Sequence, residues 1–351
     1  MKKALPLTTL AAALATTLAW NVAAAQDAVQ PPKAEPAMQK VLDAQKALHP
    51  KPIETLSPEQ ARLQPTPADA VKKVLTDMKK STAPEPGVTV KDLNIPAQGG
   101  GTIPLHVYVP DGVSGPLPVM MYYHGGGFVI ADTKVYDASP RALAKMAKAI
   151  VVAVDYRRAP EHKFPAAPED AYAAYTYTLQ HAKEWGGDPM RVAVGGESAG
   201  GNLATVVSLM ARDKKARLPV HQLLVYPVVD NDMDRPSYRQ NANTKPLDKP
   251  MMAWFFKHYG ADPKSPYALP LKNAQLAGLP PATIIGAEID PLRDEGKAYA
   301  DKLQQAGVKV DYKLYEGVTH EFFGMGAVVP KARDAEQYAA EALKKAFDAK
   351  R

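Results

Sequence analysis

The chain has 351 residues, with 43 Lys and Arg against 37 Asp and Glu, a formal charge of +6. Hydrophobic residues make up 46% and charged residues 23%, ordinary globular usage that excludes wholesale disorder and fibrous repeats. Cysteine is absent, which removes disulfides, thiolate metal sites and a thiol nucleophile, and no stretch interleaves basic and aromatic residues as a nucleic-acid surface would.

Residues 1–25 read as a secretory signal peptide. Lys2 and Lys3 open it, an apolar run follows from Ala4 to Trp20, and Ala23-Ala24-Ala25 offers small residues for cleavage before Gln26. The run is short and diluted by threonine, so no stable membrane anchor is expected after cleavage, and the protein is expected to be periplasmic or secreted. Residues 26–87 are rich in proline and carry two amphipathic helices on an extended tether. Met38, Val41, Leu42 and Leu48 define the first apolar stripe. Val71, Val74, Leu75 and Met78 define the second, with Pro67 near its first turn. A single stripe needs a partner, so this segment reads as an arm or cap over a larger body.

Residues 88–351 read as one α/β domain. Expected strands are Leu105–Val109, Val119–Tyr123, Ile150–Val154, Val192–Val194, Leu223–Tyr226, Thr283–Gly286 and Val310–Leu314. Expected helices are Ser139–Ala149, Glu169–Trp185, Ala199–Arg212, Asp294–Ala306 and Ala332–Ala349. Alternation of this kind predicts a mostly parallel sheet covered by helices on both faces. Residues 228–260 interrupt it, polar from Asp230 to Lys249 and then apolar and aromatic (Met251, Met252, Trp254, Phe255, Phe256). An insertion of that length is expected to belong to the cap.

The chemistry sits in the turns. Gly196-Glu197-Ser198-Ala199-Gly200 lies between an expected strand and an expected helix, the context of a nucleophile elbow. His124-Gly125-Gly126-Gly127-Phe128 follows another strand, and its glycines leave N–H groups unshielded, as an oxyanion hole requires. Ala199, after the serine, is expected to add a further N–H. A serine nucleophile needs a base and an orienting carboxylate, which follow it in chain order in this architecture. Asp290 and His320 end two late strands and can converge on Ser198. Glu288 competes with Asp290, whereas Asp294 reads as a cap of the next helix with Glu295 in its first turn. His124 reads as a structural pin for the glycine loop. Phe128, Met252 and Phe256 are the expected substrate-pocket residues.

Four blocks together make the sequence recognisable: residues 124–128, His-Gly-Gly-Gly-Phe; residues 155–166, Asp-Tyr-Arg-Arg-Ala-Pro-Glu-His-Lys-Phe-Pro-Ala, with Glu169 and Asp170; residues 195–202, Gly-Gly-Glu-Ser-Ala-Gly-Gly-Asn; and residues 290–296, Asp-Pro-Leu-Arg-Asp-Glu-Gly, with His320. The chain resembles the bacterial hormone-sensitive lipase family of α/β-hydrolases from Val88 to Ala349. The resemblance implies Ser198 as nucleophile, His320 as base, Asp290 as orienting acid, and Gly125, Gly126, Gly127 and Ala199 as the oxyanion region. It implies a carboxylesterase for small esters of short to medium acyl chain, with no metal or cofactor, and subunits paired through the last strand and helix. A specialised acyl hydrolase (a deacetylase, lactonase or polyester-fragment esterase) stays open, as does a non-catalytic ligand-binding relative. Arg157, Glu161 and His162 are expected to brace the loop beside the oxyanion strand. One departure stands out: Glu197 occupies the position before the serine where the family usually has Asp.

Overall fold

The computed structural model describes Met1 and residues 32–349, so the expected signal peptide (residues 1–25), apart from Met1, and the expected mature N-terminus at Gln26 lie outside the described residues. Eight strands form one sheet: β1 (Val88–Pro96), β2 (Thr102–Pro110), β3 (Leu117–Tyr123), β4 (Ile150–Val154), β5 (Gly187–Glu197), β6 (Gln222–Val225), β7 (Ala282–Ile289) and β8 (Val310–Thr319). Their spatial order is β1-β2-β4-β3-β5-β6-β7-β8. From β4 through β8 every neighbour runs parallel, while β2 is antiparallel to both β1 and β4. Every residue of β3 and β4 is buried. That is why they read as continuous apolar runs, since a parallel strand has a helix on each face.

Seven strands fall where the apolar runs predict them. β1 does not announce itself, because only Val88 and Ile95 in it are buried. It is an edge strand held by its hairpin with β2, whose turn closes with Ala97 N–H donating to the Gly101 carbonyl at 3.1 Å.

Helices cover both faces. On one side lie α4 (Ala138–Ala147) and α11 (Pro330–Phe347), with Leu143, Ala335, Ala339 and Leu343 inward. On the other lie α5 (Ala166–His181), α6 (Ala199–Asp213) and α10 (Arg293–Gln305), with Ala171, Tyr175, Leu203, Tyr299 and Leu303 inward. The arm supplies α1 (Pro36–Ala47), α2 (Pro58–Ala61) and α3 (Pro67–Asp77). Its tether is more ordered than its prolines suggest: α2 starts with a capping box in which Ser57 and Gln60 satisfy each other's backbone N–H. The two expected arm helices pack on each other, burying Met38, Val41, Ala70 and Val74 in the α4–α11 layer. Within the insertion, α7 (Pro236–Gln240) and α8 (Lys249–Tyr259) precede the short α9 (Pro270–Asn273). Trp254 of α8 donates its indole N–H to the Leu56 carbonyl at 3.3 Å, so arm and insertion join into one roof above the sheet edge.

Candidate active site

The turn from β5 into α6 holds Ser198 at φ 57° and ψ −116°, a conformation most side chains avoid. The neighbouring glycines make it possible. A Cβ on Gly200 would sit 1.9 Å from the Tyr123 carbonyl oxygen, and one on Gly196 would sit 2.4 Å from that same atom. The Ser198 N–H donates to the Val225 carbonyl at 2.9 Å, which fixes the turn against β6.

Loops after β7 and β8 bring the other two groups to this edge. His320 Nε2 lies 3.0 Å from Ser198 Oγ, and His320 Nδ1 lies 2.7 Å from Asp290 Oδ2. All three residues are buried. Burial works against the imidazolium, but the Asp290 carboxylate beside it, with its hydrogen bond, outweighs that and holds His320 above its ordinary value. The second Asp290 oxygen accepts the Leu292 N–H at 2.8 Å, so both oxygens are fixed. Glu288 is turned away and accepts the Gly317 N–H at 2.7 Å. Asp294 is not the cap expected of it. α10 begins at Arg293, and Asp294 accepts the Ser237 N–H at 2.8 Å, tying α10 to α7. Glu295 does fall in the first turn of α10, where it is fully buried and accepts the Val229 N–H at 2.8 Å.

The glycine loop faces the serine. Gly126 and Gly127 line a cleft of about 900 Å³ together with Ser198 and His320. Among the described residues, no protein acceptor takes the N–H of Gly126, Gly127 or Ala199. Gly125 stands one residue behind, its carbonyl accepting from His124 Nδ1 at 2.7 Å. His124 is fully buried, stacked on Tyr156 at 4.3 Å, and burial lowers its pKa; it pins the loop as a neutral ring. Beside it, Arg157 grips Asp170 at 2.8 Å and Glu161 grips Arg62 of the arm at 2.7 Å. His162 is exposed and braces nothing through its ring among the described residues.

The pocket differs from the expected one at two positions. Met252 lines the cleft, but Phe128 and Phe256 do not. Phe128 is buried and stacked on Tyr259 at 3.8 Å, beneath the glycine loop. On α8 the cleft takes Met251, Met252 and Phe255, and a residue turned about 100° past Phe255 leaves that face. Phe255 comes so close that a Cβ on Gly127 would lie 2.2 Å from its ring. Glu197 sits below the serine, fully buried between the hydroxyls of Tyr122 and Tyr226, the latter at 2.5 Å. Burial, with the charge of Glu321 next, pushes its pKa up to about 8. The Tyr226 ring in turn tilts against His320 at 4.4 Å. A side chain one methylene longer than the family's Asp reaches both tyrosines.

Residues 120–324 match the alpha/beta hydrolase fold family. The chain belongs to the hormone-sensitive lipase family of α/β hydrolases. This hydrolase is 41% identical over 293 residues to carboxylesterase NlhH of Mycobacterium tuberculosis, spanning 81% of the chain and 92% of that relative. It is 35% identical over 260 residues to an ethyl acetate hydrolase of Pseudomonas putida, spanning 72% and 82%. Among solved structures, it superposes on a hyperthermophilic esterase of Pyrobaculum calidifontis with a TM-score of 0.79 and 37% identity, over 90% of this chain and 98% of that one.

Proposed function

We propose that this hydrolase is an exported carboxylesterase that works through an acyl-enzyme on Ser198. Ester hydrolysis agrees with its relatives, named carboxylesterase, esterase and ethyl acetate hydrolase. The observation that carries the mechanism is the chain Ser198–His320–Asp290, with spacings of 3.0 and 2.7 Å, at the floor of a mostly apolar cleft. Ser198 attacks the ester carbonyl while His320 Nε2 takes its proton. Asp290 holds the tautomer with the proton on Nδ1 and steadies the imidazolium. The N–H groups of Gly126, Gly127 and Ala199 meet the oxyanion. His320 then protonates the departing alcohol, and water releases the acid. The apolar wall of Met251, Met252 and Phe255 suits an acyl chain of short to medium length.

An acyl series from acetyl to palmitoyl on one leaving group tests this reading. Turnover should peak at short to medium length and vanish in Ser198→Ala; a peak at palmitoyl would point to a lipase instead. Export rests on the sequence of residues 1–25 and is checked by cell fractionation and the mature N-terminus, expected at Gln26. Pairing of two copies through β8 and α11 rests on the family alone, and light scattering in solution decides it.

A further inference from the structure

Glu321 belongs to no part of the triad, yet it stands at the reactive face of the histidine. It follows His320 in the turn after β8, at φ 67°. Its side chain is 17% exposed and lines the same cleft as Ser198. The Tyr136 hydroxyl donates to its carboxylate, 2.6 Å from Oε1 and 2.7 Å from Oε2. Glu321 Oε1 lies 3.7 Å from His320 Nε2, the nitrogen that faces Ser198 Oγ. That is too long for a direct hydrogen bond. A water that donates one hydrogen to each at about 2.8 Å sets its two acceptors about 4.4 Å apart, so the partly exposed Glu321 carboxylate swings outward by under about 1 Å to seat it.

We propose that Glu321 orients the deacylating water. One water hydrogen points to His320 Nε2 and the other to Glu321 Oε1, which turns an oxygen lone pair towards the acyl carbonyl. The water oxygen bonds to the acyl carbon, and His320 takes the first proton. The bond from the acyl carbon to Ser198 Oγ breaks, that proton passes to Oγ, and the acid leaves with the second hydrogen. An alcohol has a single O–H hydrogen, which His320 needs, and offers nothing to Glu321. Glu321 therefore selects water over alcohols as the second substrate. This rests on the acyl-enzyme reading of Ser198 given above.

The test is partition of the acyl group between water and added methanol, using a p-nitrophenyl ester and measuring acid against methyl ester. Glu321→Ala should raise the ester-to-acid ratio tenfold or more and let acyl-Ser198 build up in mass spectra. Glu321→Gln, whose amide oxygen still accepts, should fall between Ala and wild type. Tyr136→Phe leaves the carboxylate in place but unanchored and should shift the ratio the same way, which covers the case where Glu321→Ala fails to fold. An unchanged ratio in Tyr136→Phe and Glu321→Gln, with hydrolysis and methanolysis falling together, overturns the proposal and leaves Glu321 a prop for the loop. Failure of the underlying reading looks different: no acyl adduct on Ser198 in any variant.

Discussion

The floor and the roof of the cleft are built by different physics. The floor is steric. Gly196 and Gly200 permit contacts that any Cβ would forbid, and Ser198 is forced to a positive φ with its N–H fixed at 2.9 Å. The roof is made of amphipathic helices joined by a few polar contacts. Arg62 donates to Glu161 and to the carbonyls of Val129 and Ala159 at 2.7–2.9 Å, and Trp254 reaches Leu56 at 3.3 Å. Strained backbone has one solution, so the floor tolerates nothing. Packed side chains of similar shape have several, so the roof can change shape at modest cost. Damage to the floor should therefore fall on kcat, and damage to the roof on which ester is preferred.

The largest effects test the floor. Ser198→Ala and His320→Ala should each lower kcat by several orders of magnitude, and Asp290→Asn by about 10⁴, with KM little changed. Wild-type turnover in Asp290→Asn would remove Asp290 from the mechanism. Gly200→Ala should abolish activity and sharply lower Tm, because the atom it meets is backbone rather than a side-chain tip; an active variant with normal Tm would show the elbow to be softer than described. On the roof, Phe255→Ala and Met252→Ala should move the acyl optimum to longer chains, each buried methylene being worth about 0.8 kcal/mol. Phe256→Ala should leave that optimum in place, and an equal shift in all three would erase the distinction drawn along α8.

Smaller effects follow from charge. Glu197 titrates at about 8 in the fold against an ordinary 4.5, so the folded chain holds the extra proton between those values. That stability is fully present below about pH 4.5 and is lost as pH rises through 8. The Tm of Glu197→Gln should gain on wild type from pH 5 to 9, and parallel curves would show the carboxyl to be ionised throughout. The smallest shift is in the acid limb of kcat/KM. His320 must be neutral to act and is raised, so the midpoint should lie above the ordinary 6.5; one below it would mean that burial outweighs Asp290.

The same contrast explains what could be read in the sequence. Ser198 and Asp290 each follow a strand whose apolar run is local and unmistakable, whereas the strand before His320 is buried only from Tyr315 on and His320 is placed by chain order; the structure brings the three together. The roof depends on pairings between distant segments. Nothing near Arg62 announces Glu161, and nothing in α8 tells which side of it faces Ser198, so Phe256 and Phe128 were expected where Phe255 and Met251 stand. β1 was silent because its burial is too sparse to set a period. Tyr136 and Glu321 carry no motif at all. The departure at Glu197 was visible, but its tyrosine partners come from β3 and the end of β6, and only the fold reveals them.

The arm also has a consequence for the order of assembly. Its α1 begins where the Glu35 N–H meets the Gly317 carbonyl at 2.8 Å, and Met38 packs on Thr319 across 281 residues of chain. The arm precedes all eight strands in the chain, yet it finds its seat only once the end of β8 is in place. Contacts of such sequence separation form late and slowly. The sheet can therefore lay down its floor while the cleft is still open, and the arm closes over it as one of the last events of folding.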